Sequence, residues 1–165
     1  MKNIFLFCVT LFLFGCATTG NNGWVSSNQR ENTKASKIIV TKSDRQMMLL
    51  DKNGDVMKQY DVRIGLNDGP KQCEGDMKTP EGIYHIISKR DSKYVKFLEL
   101  DYPQPKDIER AREIGCKPGN AIGIHAYYPG DPREGSQGCI SVWTADEILE
   151  INNLVPYGTE VEITE

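Results

Sequence analysis

From Lys37 onward, apolar residues come in short runs broken by turn residues, a pattern that predicts strands more than helices. Ile38–Val40 and Met47–Leu50 read as two strands, and Asn53-Gly54 as the turn into a third over Val56–Ile64. Gly82–Ser88 and Phe97–Tyr102 read as two more, the second stopped by Pro103 and Pro105. Asp107–Ile114 has an acidic start and Gly115 behind it, which predicts a short helix. Strands follow at Ala121–His125 and Cys139–Val142, separated by a loop rich in Gly, Pro and Asp. A second helix is predicted from Thr144 to about Leu154, with Thr144 and Glu147 at capping-box spacing. Glu160–Thr164 is the last predicted strand. The sum is a mostly β domain with two or three short helices, in a β-sandwich or partly closed barrel.

The first residues follow a different rule. Lys2 precedes an apolar run from Ile4 to Phe14, shorter than the about 20 residues a membrane-spanning helix needs. A charged start, a short apolar stretch and a small residue at its end predict an export signal. Leu13-Phe14-Gly15-Cys16 resembles a bacterial lipobox, which implies a signal peptide over residues 1–15 and acylation of Cys16. Ala17 after the cysteine is similar to the outer-membrane sorting pattern. The expected localisation is therefore the cell envelope, lipid-anchored on the periplasmic face, at the outer membrane. Residues 16–36 are rich in Thr, Gly, Asn and Ser and predict a flexible tether, leaving 37–165 as the folded domain.

The 165 residues suit one domain. A net charge of −3 with no basic block argues against a nucleic-acid partner. Histidines and cysteines at metal-ligand spacing are missing from the sequence, so neither a metal nor a cofactor is expected. Of five cysteines, Cys8 lies in the signal and Cys16 at its end. Cys73, Cys116 and Cys139 remain, an odd number for an exported chain. Whether Cys73 and Cys116 are bonded to each other is left open by the sequence.

The chain has two histidines, His85 and His125. His125 ends one predicted strand and Cys139 opens another, after Ser136-Gln137-Gly138. A cysteine acyltransferase or hydrolase needs a thiol and an imidazole within hydrogen-bond reach. The imidazole takes the thiol proton, and the ion pair so formed lowers the cysteine pKa. Gly138 permits close backbone approach, and the N–H groups of Gly138 and Cys139 are candidates for facing an oxyanion. On residue types alone the pair is a weak signal, since Cys139 also reads as a small buried apolar residue and His125 as a satisfied strand-end histidine.

Ile124-His125-Ala126 and Ser136-Gln137-Gly138-Cys139-Ile140-Ser141 resemble the signature of the L,D-transpeptidase (YkuD-type) catalytic domain family. Glu74–Tyr84, with Gly75-Asp76, Thr79-Pro80 and Gly82, is similar to the family's upstream segment. Asp101–Pro103, Pro118-Gly119 and Val155–Val161 fit as well, so the resemblance covers about 125 residues, and its nearest branch is the YafK-like one. It implies Cys139 as nucleophile, His125 as base, an Ala126 carbonyl orienting the imidazole, and Gly138 in the oxyanion region. It further implies peptidoglycan stem peptides as substrate, with cross-linking or anchoring of a protein acyl acceptor as outcome. Gln137 stands where the common pattern has a second histidine, and Ser141 where it has an arginine. Gln137 cannot titrate and Ser141 cannot grip a carboxylate with two N–H groups. These departures keep two alternatives open: an L,D-carboxypeptidase or amidase, and an inactive peptidoglycan-binding lipoprotein. Ser136, Gln137, Ser141, Tyr127 and Arg133 are the expected substrate contacts; Trp143 and His85 are expected to be structural.

Overall fold

Strand β1 (Lys37–Thr41) begins a sheet that holds every strand of the described residues, which are 33–128 and 135–165 of the computed structural model. It is followed by β2 (Gln46–Leu50), β3 (Val56–Asp61), β4 (Gly82–Ser92), β5 (Val95–Leu100), helix α1 (Pro105–Ile114), β6 (Gly123–Ala126), β7 (Ile140–Val142), helix α2 (Ala145–Leu154) and β8 (Glu160–Thr164). The eight strands are ordered β3-β2-β1-β8-β4-β5-β6-β7. β1 and β8 pair in parallel, as do β6 and β7; the other pairs are antiparallel.

The chain leaving β3 closes this sheet on itself. Arg63 forms an antiparallel bridge with Ser141, and Gly65 a parallel bridge with Ser136, so the β3 side meets the β7 side. The result is a nearly closed, barrel-like mostly β fold with two helices among the described residues, in agreement with the predicted class.

Alternation explains the core. Ile38 and Val40 of β1, Met47 and Leu49 of β2, and Val161 and Ile163 of β8 point inward and are buried. Tyr84, Ile86, Leu98, Leu100, Ile124, Ile140 and Val142 continue that interior. Ile148 and Ile151 of α2 pack onto it, the helix lying against β5 and β6. Thr144 caps α2 by accepting the Glu147 N–H at 3.2 Å, while Glu147 accepts the Thr144 N–H at 2.8 Å.

Some boundaries move. The third strand ends at Asp61, because Val62–Gly65 turn away to make the closing bridges. β4 runs on to Ser92 in a long hairpin with β5. α1 starts at Pro105, two residues before the predicted start: a proline that ends a strand also suits the first helical position, whose N–H needs no partner. Ala35 is buried and donates its N–H to Leu154, and Ser36 donates to Leu50, so the packed chain reaches past the expected boundary at residue 37. The proposed signal peptide and Cys16 lie outside the described residues, as does most of the tether.

Candidate active site

β6 places His125 and the start of β7 places Cys139. In the parallel β6–β7 pair His125 is in register with Ser141, and Ser141 is in turn opposite Arg63. Paired residues share a face, so Arg63, Ser141 and His125 form one row from the segment after β3 through β7 to β6. Cys139, two residues before Ser141, returns to that same face. All four line one cleft of about 810 Å³. Cys139 is partly exposed there and is the free cysteine among the described residues.

The imidazole of His125 is 8% exposed, and its Nδ1 lies 2.7 Å from the Ala126 carbonyl oxygen. A carbonyl only accepts, so Nδ1 carries the proton and Nε2 is left as the basic nitrogen. The ring stacks on Tyr94 at 4.2 Å between centroids, and Phe97, its register partner on β5, lies near-parallel at 5.8 Å. Burial holds the imidazole below its ordinary pKa; the Ala126 contact opposes this, and the charges of Arg63 and Lys93 reinforce it. Burial likewise pushes the Cys139 thiol up, with the Gly123 backbone pulling the other way. Both directions favour a thiol beside a neutral imidazole over a thiolate–imidazolium pair.

The Cys139 thiol donates to the Ala121 carbonyl at 3.5 Å. Ala121 presents that oxygen from a left-handed conformation, φ 54°, uncommon for a residue with a side chain. The turn before Cys139 is built by Ser136, whose hydroxyl accepts the Gly138 N–H at 2.9 Å and donates to the Cys139 carbonyl. Gly138 has φ 132°, and a Cβ there would lie 2.6 Å from the Lys78 carbonyl oxygen. Glycine is thus required, and its N–H donates to Ser136 within the turn. Gln137 is exposed on the cleft rim.

Ser141 is buried, exchanging backbone hydrogen bonds of 2.8 Å with Arg63 in both directions. Arg63 itself is a residue that sequence reasoning missed. Its guanidinium is buried, donates to the Gly135 carbonyl at 3.3 Å, and sits 4.3 Å from the Tyr127 ring centroid and 5.5 Å from that of Trp143. Nothing around Val62-Arg63-Ile64 marks it in the sequence, because closure of the sheet brings it to the cleft. Tyr127 lines the cleft beside it. Trp143, expected to pack, is 53% exposed next to Tyr127 and Arg63. Arg133 lies outside the described residues. His85 is half-exposed, away from the cleft lining, with Nδ1 3.4 Å from Asp101.

A disulfide joins Cys73 to Cys116, with Cα atoms 5.8 Å apart. It connects two segments that both line the cleft: Lys71, Glu74 and Gly75 on one, Gly119, Asn120 and Ala121 on the other. The first segment is folded around Asp76, which accepts N–H groups of Gln72, Cys73 and Lys78 and pairs with the buried Lys71 at 2.8 Å. Thr79, fully buried, accepts the Gly65 N–H at 2.8 Å and ties this segment to the chain that closes the sheet. Among the described residues, no group of three or more His, Cys, Asp or Glu side chains is arranged to hold a metal ion.

Comparison with known proteins agrees with the sequence resemblance. YafK of Escherichia coli (strain K12) is 29% identical over 92 residues, which cover 50% of this chain and 37% of YafK. Among solved structures, the helical cell shape determining protein Pgp2 of Campylobacter jejuni superposes with a TM-score of 0.64 at 23% identity, covering 81% of this chain and 49% of Pgp2. Bd1075 of Bdellovibrio bacteriovorus gives 0.60 at 26% identity, covering 81% and 49%. L,D-transpeptidase 1 of Mycobacterium tuberculosis gives 0.51 at 16%, covering 79% and 62%, and shares the fold. The chain spans about half the length of Pgp2 and Bd1075, and less of YafK. The sequence model of the YkuD family, the L,D-transpeptidase catalytic domain, matches residues 35–163, and the chain belongs to that family.

Proposed function

We propose that this chain is a peptidoglycan-modifying L,D-transpeptidase that uses Cys139 as nucleophile and His125 as base on peptide stems. The observation that carries this reading is the Nδ1 contact of His125 with the Ala126 carbonyl, which leaves Nε2 basic on the face that also bears Cys139. Nε2 takes the thiol proton as sulfur attacks the carbonyl carbon of an L-centre joined to a terminal D-residue. The tetrahedral oxyanion faces the Cys139 N–H, since the Gly138 N–H serves the turn. Collapse breaks the C–N bond, and the imidazolium protonates the departing amine of the D-residue. An acceptor amine, from a second stem or a protein, then attacks the thioester, gives a proton to His125, and expels the cysteine sulfur, which takes that proton back.

Arg63 fits a contact to the substrate carboxylate: a guanidinium in the row of His125 supplies a charge that Ser141 lacks. The Leu13–Cys16 segment supports attachment by an acylated Cys16 at the periplasmic face of the outer membrane.

Incubation of the purified full chain with sacculi, followed by digestion and mass spectrometry of the muropeptides, tests the reading. Wild type is expected to alter the stems and Cys139→Ala to leave them unchanged; equal alteration by both overturns the nucleophile. Added D-amino acid exchanging into stems identifies transfer, whereas accumulation of shortened stems without exchange identifies a hydrolase.

A further inference from the structure

The tip of the β4–β5 hairpin lines the cleft beside His125, and the proposed reaction assigns it no role. Arg90, Asp91, Ser92, Lys93 and Tyr94 all line it. Tyr94 is the residue of this tip that reaches the imidazole, its ring 4.2 Å from that of His125 and inclined by 29°. Its backbone is held to the same strand: the Tyr94 carbonyl accepts N–H groups from Ala126 at 3.4 Å and Lys96 at 2.9 Å, and its own N–H donates to Ser92 Oγ at 3.1 Å. Tyr94 is thus tied to Ala126, the residue whose carbonyl holds the imidazole Nδ1. Val95, immediately after it, has φ 72°. A β-branched residue in that region is strained, and such strain persists only where surrounding contacts enforce it.

We propose that Tyr94 is a positioning residue for His125: its ring clamps the imidazole flat against β6, holding the Nδ1–H toward Ala126 and keeping water from that face. The inference rests on the reading of His125 as the base. Two effects of such a ring oppose each other, because an aromatic face attracts a cation while its bulk excludes water. Exclusion prevails at His125, whose pKa is lowered chiefly by burial. The charged and titratable groups around the imidazole are Arg63 from the chain after β3, Arg90 from β4 over the Phe97 ring at 4.4 Å, Lys93 and Tyr94 from the hairpin, Tyr128 beyond β6, and Cys139 before β7. Lys93 lies over the rings of Tyr94 at 5.0 Å and Tyr128 at 5.6 Å, so removing Tyr94 frees this cation as well as opening the imidazole to water.

The full chain has two histidines, so each imidazole signal can be followed by nuclear magnetic resonance, with His85 as an internal reference away from the cleft lining. In wild type and Tyr94→Phe, His125 is expected to titrate below the ordinary 6.5 and to hold the Nδ1–H tautomer. In Tyr94→Ala and Tyr94→Leu its titration moves up toward the ordinary histidine range and the tautomers mix, while the His85 signals stay in place. On stem substrate the same two variants lose about tenfold in kcat with KM little changed, and Tyr94→Phe stays within about twofold of wild type. His125 titrating in Tyr94→Ala and Tyr94→Leu as it does in wild type, with the same tautomer, overturns the inference. The imidazole readout needs no turnover, so a wild-type chain inactive on stems defeats the functional reading without deciding this one.

Discussion

Arg63 and Ser141 face each other across the seam of the sheet, each donating its N–H to the other's carbonyl at 2.8 Å. Through this pair the guanidinium reaches the same row as the imidazole although 62 positions separate Arg63 from His125 (125 − 63). Arg63→Gln keeps the bridge, since that uses the backbone, and removes the charge. The expected outcome is a KM for stem substrate raised at least tenfold with the fold intact by circular dichroism, and a smaller rise for Arg63→Lys, whose single ammonium cannot present two parallel N–H groups. An unchanged KM in Arg63→Gln removes the residue from substrate contact.

The pH dependence has a definite sign. The proposed base role needs a neutral His125, which is the species present above its pKa. Burial places that pKa below the ordinary 6.5, so the acid limb of kcat/KM is expected below pH 6.5. The thiol is pushed above its ordinary 9.0, so substrate-independent alkylation of Cys139 should stay slow until the solution is more alkaline than that. A rate profile already half-lost at pH 7, or fast alkylation at neutral pH, would contradict the neutral resting pair.

Cys73 and Cys116 are 43 residues apart in sequence. Cross-linking a loop of that size is worth about 4 kcal/mol in the chain-entropy account. The double variant Cys73→Ser/Cys116→Ser is expected to lose roughly that much in urea unfolding. Because both bonded segments line the cleft, KM should rise in the variant even at temperatures where it remains folded. Loss of stability with unaltered kinetics would limit the disulfide to a structural role.

Asp76 organises the same wall. Burial alone would raise its pKa, but Lys71 and three backbone N–H groups outweigh this and lower it below the ordinary 3.8. A carboxylate with a lowered folded-state pKa stabilises the fold above its unfolded value and loses that contribution as pH falls through the folded one. Asp76→Asn leaves Lys71 buried and unpaired at neutral pH and is expected to cost about 3 kcal/mol. Denaturant titrations at pH 7 and below pH 3 check this: the difference between wild type and variant should shrink at the lower pH.

The strands around the core were legible because their apolar positions alternate, as at Ile38/Val40 and Val161/Ile163, and α2 because Thr144 and Glu147 stand three apart. Cys139 and His125 were weak candidates as one of three remaining cysteines and one of two histidines, and it was the resemblance of the segments around them to the family signature that singled them out. Arg63 and Tyr94 carried no such mark. Each acquires its place only when distant strands pair: Arg63 by closure of the sheet, Tyr94 because β5 lies beside β6. The glycine at 138 was readable as a need for close approach, but the use of its N–H was not, since that depends on how Ser136 turns. The start of α1 was misplaced because proline stops a strand and begins a helix equally well.

β8 lies between β1 and β4, so the last strand of the domain joins the half of the sheet built from β1–β3 to the half built from β4–β7. Until residues 160–164 arrive, two edges with unpaired backbone groups, Lys37–Thr41 of β1 and Gly82–His85 of β4, stay open to other molecules. Assembly of this domain is consequently non-local and late, which exposes the nascent chain to aggregation and makes even a short truncation at its carboxyl end far more damaging than the few residues removed would suggest.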